Sequence, residues 1–196
     1  MSTEKDEFIA DEIIEGFTLL LTSTSTSSLP IWNPQQSYLL WTQWEDRGYL
    51  LRERGLFGKS KIDLNKPFAM PVNMGEAHWY TVMVVPSDDS VKYFVYDSLA
   101  KDWTGKAREF IRRLHSVFFQ NKESIIELFG PSKLGGKQGK NDCAVWTCYV
   151  LQYLYDCPSD VELNDIPICA KEVMKAERET LYNMLFVTKT YERIGK

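Results

Sequence analysis

A cysteine stands where a helix should begin. Gly135-Gly136-Lys137-Gln138-Gly139-Lys140-Asn141-Asp142 is a loop rich in Gly and Lys, and it ends at Cys143. Ala144 to Leu151 continues as an apolar run that reads as a buried helix. A thiol in a first helical turn lies near the positive end of the macrodipole and beside unpaired backbone N–H groups. Both favour the thiolate, which is the nucleophilic form. Such a nucleophile needs a base, and the chain has only 2 histidines. His115 falls inside a helical stretch at 106–119 among charged and core positions, where packing or a place on the helix surface is the plainer reading. His78 differs, because it follows the loop Asn73 to Ala77 and opens the longest strand-like run of the chain. Asp97 closes the next strand, and in an antiparallel hairpin the first residue of one strand lies beside the last of the other. A carboxylate there would fix the imidazole tautomer and stabilise its charged form. Taken singly, Asp97 reads as a turn residue, Cys143 as a small buried hydrophobe and Gln138 as an ordinary loop residue. Jointly they point to nucleophilic catalysis.

The elements that would position these groups can be read in order. Asp11 to Leu21 puts Ile13, Ile14, Phe17, Leu20 and Leu21 on one helical face. The Ser/Thr run 22–28 reads as a surface loop. Asn33-Pro34 starts a second helix, with Asn as N-cap and Pro at the first helical position, and Gly48 is expected to stop it. The segment through Gly55 and Gly58 reads as irregular or a short helix. The pattern then turns extended. Strands are expected at Phe68 to Val72, His78 to Val85 and Val91 to Tyr96, the last two joined by the turn 86–90. A helix over 106–119 follows, then a strand at Ser124 to Phe129 closed by Gly130-Pro131. After the Cys143 helix comes a last amphipathic helix from about Ile168 to Phe186. This is one α+β domain over 1–196, with a small central, mostly antiparallel sheet flanked by helices.

Composition narrows the function classes. The chain of 196 residues is 44% hydrophobic and 26% charged, enough for one ordinary core. A net charge of -4 gives no basic footprint for nucleic acid. The N-terminus is charged without an apolar signal core, and the apolar runs are too short to span a bilayer, so no membrane partner is expected. The four cysteines 143, 148, 157 and 169 form no CxxC pair and suit a reducing compartment better than a disulfide framework or a zinc site. An intracellular monomer, in cytoplasm or nucleus, is the expectation.

His78-Trp79, Tyr96-Asp97-Ser98, Gln138 and Asp142-Cys143 occur in the order His, Asp, Gln, Cys. In this order they resemble the Ulp1/SENP-type, adenain-like cysteine proteases that process ubiquitin-like modifiers. Phe8 to Ile14 is similar to the tryptophan-led motif at the start of that family's first helix. The resemblance implies an adenain-like fold with Cys143 as nucleophile, His78 as its base, Asp97 orienting His78, and Gln138 as an oxyanion donor. It also implies that Trp79 roofs a narrow channel for a Gly-Gly tail, that Phe8 supplies an aromatic wall, and that Asp11 lies near the substrate. Partners would be ubiquitin, SUMO or NEDD8 and their conjugates, and no cofactor is implied. Three positions depart from the family pattern. Ala144 follows the cysteine where Gly is usual, Gln138 lies one residue closer to the cysteine, and Phe8 replaces the tryptophan. These suit a divergent member, such as a pathogen effector acting in host cytosol or a viral enzyme. Two other classes share the residues: an acetyltransferase using the same triad with acetyl-CoA, and an inactive modifier-binding module.

Overall fold

The computed structural model describes residues 11–24, 29–42, 63–73, 78–99, 104–129, 142–156, 176, 178–181 and 183. Helix α1 is Asp11–Thr24, and α2 covers 34–42. Strands β1 (Phe68–Asn73), β2 (Trp79–Pro86) and β3 (Ser90–Tyr96) follow, then α3 (Thr104–Phe118), β4 (Glu123–Phe129) and α4 (Cys143–Asp156). The four strands form one sheet in the order β1-β2-β3-β4. β1 with β2 and β2 with β3 pair antiparallel, whereas β3 with β4 pairs parallel, so the sheet is mixed. The parallel pair is reached by crossing through α3, as parallel strands require.

The sheet has a core on each side. Alternation along β2 sends Trp79 to one side and Tyr80, Val82 and Val84 to the other. The first side packs against α1 and α4, with Ile14, Phe17, Val145 and Leu151 in its cluster. The second packs against α3 through Ala107, Phe110, Ile111, Leu114 and Val117, whose spacing of three and four residues marks one helical stripe. α4 is apolar almost all round because it is enclosed. Its buried residues run from Cys143 through Cys148 without a gap.

Two local details have clear chemical causes. Asn33 caps α2: its Oδ1 accepts the Gln35 N–H at 2.8 Å, and Gln36 Oε1 accepts the Asn33 N–H at 3.0 Å. This reciprocal capping box is what Asn-x-x-Gln provides. Pro71 lies inside β1, where a missing N–H would ordinarily break a ladder. The Ala69 N–H points away from β2 and bonds Pro30 O at 3.0 Å. Two residues on, Pro71 therefore presents its missing donor to that same outer edge. The Ser/Thr run departs from the expected loop, because Thr22, Ser23 and Thr24 continue α1. Thr22 Oγ1 donates to Thr18 O at 2.9 Å and Ser23 Oγ to Leu20 O at 2.9 Å, so these hydroxyls are satisfied within the helix. The rest of the run, the expected stop at Gly48 and the segment around Gly55 and Gly58 lie outside the described residues. Of the last expected helix, 176, 178–181 and 183 are helical.

Candidate active site

Three chain segments meet at one end of the sheet. His78 immediately precedes β2, Asp97 immediately follows β3, and Cys143 is the first residue of α4. The hairpin register pairs Thr81 with Tyr96; continued outward it sets Asp97 opposite Tyr80, and His78, two residues before Tyr80, is the diagonal neighbour that reaches the carboxylate. All three are buried, at 3%, 4% and 2% exposure.

His78 Nε2–H donates to Asp97 Oδ1 at 2.8 Å. A carboxylate can only accept, so Nε2 carries a proton in either charge state of the ring, and Nδ1 is the nitrogen whose protonation changes. The ring's second side-chain partner is Cys143. Burial alone would push the imidazole toward its neutral form. The Asp97 hydrogen bond, then the Cys143 hydrogen bond and the charges of both partners, outweigh burial and raise the ring to about 9. At neutral pH His78 is therefore cationic.

Asp97 serves two partners with one oxygen. Oδ1 also accepts the Leu99 N–H at 2.8 Å, the local turn bond that an Asp after a strand commonly makes. The turn reading of Asp97 and its pairing with His78 thus both hold, and the turn fixes the carboxylate in place. Oδ2 is buried without a hydrogen-bond partner among the described residues.

Tyr80 is a further neighbour of the pair, and its residue type alone does not mark it as one. It follows His78 by two positions, and its ring stacks against the imidazole with centroids 6.4 Å apart and planes 26° from parallel. Burial first, and the Asp97 charge second, push its phenol well above the usual range, so it stays neutral. Strand alternation from His78 would have pointed to it. His115 is a structural histidine. Tyr93 OH bonds its Nδ1 at 2.9 Å and its Nε2–H donates to Lys122 O at 2.9 Å.

The other expected site residues fall as follows. Trp79 is 4% exposed and belongs to the cluster that holds Cys143 and Ala144. Asp11 opens α1. Gln138 and Phe8 lie outside the described residues.

No protein-family model matches this sequence, and no curated protein does. Solved structures do match. A de-sumoylating protease superposes with TM-score 0.63 at 13% identity, covering 98% of this chain and 86% of that one. The C-terminal Ulp1 protease domain in complex with Smt3, the yeast ortholog of SUMO, gives 0.57 at 18% identity, with 83% and 72% covered. XopD of Xanthomonas, solved for insight into the substrate specificity of ubiquitin-like protein proteases, gives 0.50 at 16% identity, with 87% and 98% covered. The chain has the fold of the Ulp1/SENP-type SUMO proteases. It carries that fold on a sequence far diverged from theirs.

Proposed function

We propose that this chain is a cysteine protease or isopeptidase that cleaves after the C-terminal Gly-Gly of a ubiquitin-like modifier. The observation that carries the reading is His78 bonded to Asp97 at 2.8 Å with Cys143 as the ring's other partner. The Ulp1-type fold supports the same class of substrate.

In this reading the Cys143 thiolate attacks the carbonyl carbon of the terminal glycine, forming a C–S bond and a tetrahedral oxyanion. The Gln138 side-chain amide and a first-turn N–H of α4 receive that charge. His78, cationic at this stage, gives its proton to the leaving amine as the C–N bond breaks. Water then attacks the thioester, His78 takes its proton, and the thiolate leaves with the modifier released as a free acid. Trp79, with Phe8, would line the passage for the glycine tail, leaving too little room for larger side chains, and Asp11 would meet a basic modifier residue.

The test is a panel of the three modifiers, each carrying a C-terminal electrophile, incubated with the purified protein under reducing conditions. The expected result is a covalent adduct with at least one, mapped by peptide mass spectrometry to Cys143. Absence of an adduct with all three sinks the proposal.

The His78 proton sets a pH limit. The leaving amine needs a cationic ring, and the ring loses its proton as pH rises through about 9. kcat/KM should therefore hold through neutral pH and fall on an alkaline limb centred near 9, measured with a fluorogenic modifier conjugate. An alkaline limb near the ordinary histidine value of 6.5 would show that Asp97 does not support the charged ring.

A further inference from the structure

The C-terminal segment reaches the start of α4 through an ion pair. Arg178, on helical backbone, donates from Nη2 to Asp142 Oδ1, and Asp142 is the residue immediately before Cys143. The two side chains are 12% and 23% exposed, so solvent screens them only in part. Leu181, three residues on, is buried in the apolar cluster that includes Cys143, Ala144 and Val145. Packing thus fixes the turn that carries Arg178.

Asp142 occupies the N-cap of α4, since its carbonyl accepts the Trp146 N–H at 2.9 Å. An Asp at this position ordinarily turns its carboxylate onto an N–H of the first turn. Here, among the described residues, the carboxylate bonds Arg178 and none of those amides. Two effects follow for the neighbouring sulfur. A bare carboxylate beside Cys143 would oppose a second negative charge, whether thiolate or oxyanion, and the guanidinium cancels it. The first-turn amides, moreover, are not consumed by the cap.

We propose that Arg178 is a positioning residue for Cys143. It pairs with the Asp142 carboxylate and turns it away from the helix start, so that this carboxylate does not oppose the negative charge that forms at the sulfur. This rests on the reading of Cys143 as nucleophile. Its test reads the sulfur directly, without a modifier.

The experiment follows alkylation of Cys143 by iodoacetamide at pH 7, quantified on the Cys143 peptide, for the full chain and for Arg178→Gln, Arg178→Lys, Asp142→Asn and the Asp142→Asn/Arg178→Gln double variant. Circular dichroism monitors folding. Arg178→Gln should alkylate about tenfold more slowly, the scale of one like charge brought close. Arg178→Lys should retain most of the rate, and the double variant should recover it, because the offending carboxylate is gone. On a modifier substrate the Arg178→Gln loss should fall on kcat rather than KM. A merely structural Arg178 would leave the double variant as slow as the single one, and that result overturns the proposal. So does Arg178→Gln alkylating at the wild-type rate. Should Arg178→Gln fail to fold, Asp142→Asn decides alone: it should alkylate no more slowly than wild type, and a tenfold loss refutes the assignment. If no modifier probe labels the wild type while this alkylation pattern holds, the protease reading fails and the role of Arg178 stands.

Discussion

Asp97→Asn should lower kcat about 10⁴-fold on a modifier conjugate while the protein stays folded, the scale set by losing the carboxylate behind a catalytic histidine. The cause lies in the bonds of one oxygen. Asp97 Oδ1 accepts from both His78 Nε2 and Leu99 N, each at 2.8 Å. An asparagine that keeps its carbonyl oxygen there preserves both bonds and loses the charge that holds the ring cationic. Its NH₂ then occupies the Oδ2 site, which is buried and offers no partner among the described residues. Flipping the amide instead aims NH₂ at Nε2, which forces the ring proton onto Nδ1, the nitrogen that must receive the thiol proton. The same flip also removes the acceptor from the Leu99 N–H. Either orientation removes a condition that the chemistry needs, so the loss is large in both. Steady-state kinetics with circular dichroism as control measures it. A folded Asp97→Asn protein within tenfold of wild type would mean that Asp97 is a turn residue and nothing more.

How much of this was legible beforehand differs from element to element. His78 and Asp97 were readable because a hairpin is local. A short turn, strict alternation and two polar residues at one end of the strand pair put them within reach of each other without knowledge of the rest of the fold, although the register, continued, sets Tyr80 rather than His78 directly opposite Asp97. Cys143 at a helix start was readable for a similar reason, since glycine and an apolar run mark the boundary. The parallel pairing of β3 with β4 was not, because strand order across a helical crossover depends on which faces pack, and alternation along β4 says nothing of its neighbour. The Ser/Thr run misled through propensity. Hydroxyls that usually favour turns found carbonyls one turn back, and α1 ran on to Thr24. Arg178 left no local sign of its role. It is an ordinary cation on an amphipathic helix, and its partner lies 36 positions away. The fold thus shows itself in short-range pattern, whereas the charge balance around the sulfur depends on tertiary contact.

His78→Ala should be costly twice over. Activity should drop by about 10⁶-fold, as when the base of an acyl-transfer triad is removed. Stability should fall by about 3–5 kcal/mol, because deleting one member of a buried pair strands the other charge. Asp97 is poorly placed to bear that. Its side chain is 6% exposed, Oδ2 has no partner among the described residues, and Oδ1 would retain only the Leu99 amide. Removing the stranded charge should therefore restore part of the loss, so His78→Ala/Asp97→Asn should unfold at higher urea than His78→Ala alone. A pH signature separates this from simple loss of packing. The imidazole is raised from 6.5 to about 9 on folding. A group whose folded value is raised contributes its full stability below the unfolded value and loses it as pH climbs through the folded one. The His78 contribution is thus complete below pH 6.5 and gone above about 9, and its size at 1.36 kcal/mol per unit is roughly 3 kcal/mol. Urea midpoints at pH 6 and pH 9.5 should show wild type losing that much relative to His78→Ala, with changes from other groups common to both and cancelling in the difference. Parallel pH curves for the two proteins would mean that the pair contributes no linked stability, and that the ring enters the folded state neutral. The two measurements test one premise from opposite sides. An ion pair that poises His78 for proton transfer must also tie stability to its proton, so a rate that needs the cation and a fold indifferent to it cannot both be observed.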